Sequence, residues 1–111
     1  MRAMGQRQWG QHPLELIELP DPVPKAGELR VRVAAAAVNP VDWKMRTYGP
    51  LHWALRVIGP PLPMVPGIDF AGTIDAVGEG VSAVKVGDRV VGGTIFARGQ
   101  RGSYADTVVV R

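Results

Sequence analysis

A chain of 111 residues fits one domain and can bury roughly two-thirds of the surface that its unfolded form exposes, enough for a single core. Its net charge of +3 is spread among acids instead of gathered in a block, which disfavours a nucleic-acid partner, and the absence of cysteine excludes disulfides, thiolate catalysis and Cys-ligated zinc. No stretch approaches the roughly 20 apolar residues that span a bilayer, and the N-terminal MRAMGQRQWG lacks the apolar core of a signal peptide, so the expectation is a cytoplasmic protein with no membrane partner.

With 14 glycines and 10 prolines, short strands and frequent turns are expected over long helices. The first strand-like run is LELIELPDP, in which Leu14, Leu16, Ile17 and Leu19 flank Glu15 and Glu18 before the turn residues Pro20 and Pro22. GELRVRVAAAAVNP is cleaner: Leu29, Val31, Val33 and Ala35 alternate with Arg30, Arg32 and Ala34, the period of a half-buried strand. Beyond Arg32 the polar partners vanish, so this strand is expected to run into a place covered on both sides, where Pro40 stops it.

In NPVDWKMRTYG the spacing predicts a turn of helix capped by Asn39, with Pro40 at the first helical position. The following PLHWALRVIGPPLPMVPG mixes an amphipathic stretch with five prolines and reads either as a short helix with an ordered loop or as a lid. From Gly72 onward GTIDAVG, GEGVSAVKVGDRVVG and GSYADTVVV return to the strand pattern with glycines at turn spacing, which points to an antiparallel or mixed barrel. Gly78 and Gly80 imitate the start of a phosphate-binding fingerprint. The third glycine would fall at Ala83, and turn and strand follow in place of a helix, so the segment reads as a hairpin.

These segments, VRVAAAAVNPVDWKMR, PMVPGIDFAGTIDAVGEGVSAVKVGDRVVG and GSYADTVVV in that order, resemble the N-terminal GroES-like domain of the medium-chain dehydrogenase/reductase superfamily. The branch they look most like is the zinc-free, NADPH-dependent quinone oxidoreductases. The resemblance implies a mainly β fold, a GroES-like, partly open β-barrel with short helices. Residues 1–111 would then be the catalytic, substrate-side domain of a longer two-domain enzyme, cut before a Rossmann domain that binds most of the NADPH. The full-length enzyme would be a homodimer whose substrate is a small quinone or enone.

By the same resemblance Asn39 stands where zinc enzymes carry a Cys ligand and Ile68 where they carry a His, leaving Asp69 alone as a possible ligand; one carboxylate does not hold a zinc ion. The stretch GGTIFARGQRGSY is too short for the four-cysteine lobe that holds the superfamily's structural zinc. No metal site is therefore expected, and His12 and His52 read as surface or packing residues. The expected catalytic residues are Asn39 and Tyr48. Asn39, Asp42 and Lys44 are expected to meet the cofactor, and Ile68 and Asp69 to line the substrate cleft.

Four of these residues have a plainer reading. Asn39 can be a helix cap, Asp42 a charge favouring the helix N-terminus, Tyr48 a packed turn aromatic, and Asp69 a structural hydrogen-bonding group. Two other functions also stay open: an enoyl-thioester reductase domain, and a non-catalytic GroES-like binding module.

Overall fold

The computed structural model describes residues 1–8, 13–40, 63–94 and 101–111. Among them the backbone forms β1 (Arg2–Gly5), β2 (Glu15–Glu18), β3 (Leu29–Ala35), β4 (Asp69–Val77), β5 (Arg89–Gly93) and β6 (Thr107–Val110). Strands β1 and β2 make a two-stranded sheet, and the other four make a sheet in the order β5-β4-β3-β6, every pairing antiparallel. The fold is mainly β, as expected, built from open sheets and not a closed barrel. Helical backbone appears at Pro40, where the short helix was expected to open; the remainder of that expected helix, and the segment expected as a loop or lid, lie outside the described residues.

The period-2 pattern of β3 works as chemistry dictates. Val31 is fully buried, Arg32 is exposed, and the half-buried Arg30 turns its Nε to Asp75 Oδ1 at 2.7 Å while Nη1 donates to the Pro22 carbonyl at 3.0 Å. Past Arg32 the structure departs from expectation, because Ala34 to Ala37 are exposed and Val38 is 78% exposed. The cause is the pairing. The last β3–β6 pair is Arg32 with Thr107, and the β3–β4 register shifts between Val33 and Ala35, so the strand leaves the sheet instead of entering its interior.

Strand β4 begins at Asp69, three residues before the glycine where the sequence pattern resumes. Phe70, Gly72 and Ile74 alternate inward from that start. Gly72 faces Val33, and a Cβ there would run into the Arg32 carbonyl oxygen, so the two backbones approach closely. The connection from β4 to β5 is the hairpin expected in place of a phosphate-binding turn.

Strand β1 was not anticipated. Its inward positions are Ala3 and Gly5, which give no hydrophobic signal, and it is held by β2 on one side and by Met64 and Tyr104 to Asp106 on the other. Among the described residues two buried clusters result: Val31, Phe70, Ile74, Val108 and Val110 with the larger sheet, and Ala3, Ile17 and Val65 with the smaller one.

Candidate functional site

Where β3 leaves the sheet and β4 begins, the strands are too far along to pair by backbone, and a side chain takes over. Asp69 Oδ1 accepts the Ala37 N–H at 2.9 Å, and Oδ2 accepts from Asn39 Nδ2 at 3.0 Å. Both bonds favour the ionised carboxylate, the Ala37 N–H most and the Asn39 amide next, and together they hold Asp69 below the ordinary carboxylate value of 3.8 against a smaller opposing effect of desolvation. Asn39 is half-buried, as is Asp69.

The base of this carboxylate is fixed by a hydrogen-bonded seam that the sequence did not announce. Buried Ser103 donates its hydroxyl to the Asp69 carbonyl at 2.5 Å, and the Thr94 hydroxyl donates to the Gly67 carbonyl at 2.5 Å. Thr94 also donates its N–H to the Ile68 carbonyl at 2.8 Å, and the Ser103 N–H reaches the Gly67 carbonyl at 3.1 Å. Gly67 makes the seam possible: its φ is +114°, and any Cβ would strike the Ser103 hydroxyl. The one hint in the sequence was the glycine in VPGID; nothing marked Ser103 or Thr94.

On the outward face of the sheet, beside Asp69, an apolar row crosses three strands. Ala71 pairs with Ala35 on one side and with Val91 on the other, so the three side chains share a face, and Val91 is 83% exposed. Ile68, half-buried, precedes Asp69 at the same end.

Of the residues expected in the site, the structure brings Asn39, Ile68 and Asp69 to one end of β4. Asp42, Lys44 and Tyr48 lie outside the described residues, as do His12 and His52. Ile68 has no lone pair to offer and an amide is a poor zinc ligand, so Asp69 is left as a single carboxylate where three or four protein ligands are needed, and these three residues do not fit a zinc ion. Among the described residues no group of three or more His, Cys, Asp and Glu side chains could hold a metal. Nor is any described helix long and apolar enough to cross a membrane.

The family follows from these features together with the comparisons. Residues 25–111 match the alcohol dehydrogenase GroES-like domain, and the chain belongs to that family, within the medium-chain dehydrogenase/reductase superfamily. The chloroplastic quinone-oxidoreductase homolog of Spinacia oleracea is 35% identical over 103 residues, 92% of this chain and 29% of its own length. Quinone oxidoreductase of Sus scrofa is 44% identical over 69 residues, 62% of this chain and 19% of its own. Trans-enoyl reductase of Fusarium mangiferae is 40% identical over 87 residues, 78% of this chain and 20% of its own. The chain thus spans less than a third of the length of these relatives.

Among solved structures, the quinone oxidoreductase of Coxiella burnetii superposes with a TM-score of 0.84 at 32% identity, covering 98% of this chain and 34% of that one. A mycobacterial protein solved in complex with NADPH gives 0.73 at 31% identity, covering 99% and 31%. A thermostable alcohol dehydrogenase of Pyrobaculum aerophilum, solved with cobalt and zinc, gives 0.79 at 29% identity, covering 99% and 39%. The shared architecture therefore occurs both in a quinone oxidoreductase and in a metal-bound alcohol dehydrogenase.

Proposed function

We propose that this chain is the substrate-side domain of a zinc-independent, NADPH-dependent oxidoreductase that reduces quinones or activated enones. The observation that carries the reading is the Asn39–Asp69 pair with Ile68 beside it: an amide, an engaged carboxylate and an aliphatic side chain at the place where an alcohol-activating metal would need ligands. An electron-poor acceptor does not need an electrophilic metal. It needs an apolar surface for its ring, hydrogen-bond donors where negative charge grows on its oxygen, and finally a proton there.

NADPH supplies the hydride when it is bound. This chain supplies the remainder. The row Val91, Ala71 and Ala35 offers the apolar surface, and Asn39 orients the reacting end of the cofactor or the acceptor oxygen above it. Asp42 and Lys44 complete the cofactor contacts and Tyr48 delivers the proton, as the sequence resemblance implies. On this reading residues 1–111 form one domain of a longer enzyme, a homodimer in the cytoplasm, and the Rossmann domain holds most of the cofactor.

A second reading, an enoyl-thioester reductase, is favoured by the similarity to trans-enoyl reductase. The two separate on substrate. The intact protein is assayed for NADPH oxidation with a quinone, a small enone and an enoyl thioester, and for NAD-linked alcohol oxidation, each before and after exhaustive chelation. Quinone or enone turnover that chelation leaves unchanged supports the proposal. Turnover of the thioester alone selects the second reading, and alcohol oxidation lost on chelation overturns both.

A further inference from the structure

Building on this reading of Asn39, we propose that Asp69 is the positioning residue of the site: it holds the Asn39 amide in one of its two flips and so fixes which end of that amide a ligand meets. The chemistry is one of donors and acceptors. A primary amide has a donor end and an acceptor end of nearly equal size, and a half-turn about its last bond exchanges them at little steric cost. An ionised carboxylate accepts only. With Oδ2 of Asp69 3.0 Å from it, the side of Asn39 turned to β4 must be the NH2 end, and Oδ1 of the amide is turned away.

The carboxylate is a rigid reference. Asp69 is the first residue of β4 and pairs with Gly93, its carbonyl takes the Ser103 hydroxyl, and the preceding carbonyls of Gly67 and Ile68 are held by Thr94 and Ser103. Its second oxygen holds the Ala37 N–H, two residues before Asn39, so the segment's backbone and the amide are indexed to the same side chain. The hydrogen bonds that favour the charged carboxylate keep it an acceptor throughout the neutral range.

Replacing Asp69 by Asn makes the inference sharp. The side chain at 69 then has one acceptor and one donor end. Its oxygen takes the Ala37 N–H, its NH2 faces residue 39, and Asn39 answers by flipping so that its own oxygen accepts. Both bonds to residue 69 survive only with the amide at 39 inverted, which also exchanges the ends that Asn39 presents to its other contacts. A merely structural Asp69 would tolerate this change in melting temperature and in rate alike.

The test has two arms. In the 15N-labelled chain, the side-chain NH2 resonances of Asn39 shift as Asp69 is titrated with acid, and they lose their hydrogen-bonded signature in Asp69→Asn. In the intact protein, Asp69→Asn melts within a few degrees of the parent while kcat/KM for a quinone falls about a hundredfold, the loss typical of a small misplacement of a positioning group. Asn39 resonances indifferent to acid overturn the inference even if the variant fails to fold. An inverted amide with unchanged kcat/KM overturns it too. A parent protein with no reductase activity overturns the functional reading instead, and the resonance arm still decides the link between Asp69 and Asn39.

Discussion

At Asp69 the hydrogen bonds and the titration are one phenomenon, because the N–H of Ala37 and then the amide of Asn39 bond the charged form and lower its pKa from 3.8. A carboxyl whose pKa falls on folding contributes stability that is complete above its unfolded value and is lost as pH drops through the folded one. The gap in melting temperature between the parent and Asp69→Ala should therefore be constant at neutral pH and narrow as the pH falls below 3.8, to the part that does not depend on ionisation. Asp21, held low by the N-terminal ammonium, and Asp106, held low first by the Arg2 N–H, titrate in both proteins and cancel from the difference. The same pair changes what Asn39→Asp means. From the sequence that variant keeps the helix cap and deletes a donor; in the structure it sets a second carboxylate 3.0 Å from the first. Like charges that close share a proton, so one pKa rises and the variant is destabilised at neutral pH whatever its catalytic role. Here the sign reverses: thermal melts should show Asn39→Asp regaining stability relative to the parent as the solution is acidified.

Strands β3 and β4 set the precision of the site, since the bonds from Asp69 reach Ala37 and Asn39 only if the register between them is kept. Gly72 is where that register is most exposed to a test. Its missing Cβ is aimed at the Arg32 carbonyl, a backbone atom with nowhere to go, so Gly72→Ala should cost about 1–3 kcal/mol in a urea midpoint at unchanged slope. Ile74→Val removes one methyl from a fully buried neighbour and should cost about 0.5–1.5 kcal/mol. If the glycine change were the milder of the two, the close approach would not be rigid. These strands also divide what the sequence discloses from what it hides. Alternation discloses the inner and outer faces of β3, and glycine spacing discloses the β4–β5 hairpin. It does not disclose β1, whose inward residues Ala3 and Gly5 carry no hydrophobic contrast and whose place depends on distant partners. Asn39, Ile68 and Asp69 could each be marked by resemblance to a family. Their coupling could not, because it joins positions 30 apart through a register shift that no local pattern encodes.

For the molecule as a whole, the β4–β5 connection bears on how much of the proposed cofactor the described residues would hold. Gly78 donates its N–H to the Glu28 carbonyl at 2.7 Å, Gly27 reaches the Glu79 carbonyl at 2.9 Å, and Gly80 sits at a φ of +82° in the turn. The Gly78 N–H is thus spent on the turn that leads into β3, and strand follows in place of the helix N-terminus that would attract a pyrophosphate. On the proposed reading the contribution of the described residues lies at the other end of β4, where Asn39, Asp69 and the row Ala35, Ala71 and Val91 would meet the nicotinamide end and an apolar acceptor. Calorimetry on the 111-residue chain should accordingly find NADPH no tighter than millimolar. Reduced nicotinamide mononucleotide, which lacks the adenylate half, should bind within a few fold of NADPH, and 2′,5′-ADP should not bind measurably. Micromolar affinity for 2′,5′-ADP would place a phosphate site within these residues and end the assignment of the chain to the nicotinamide side alone.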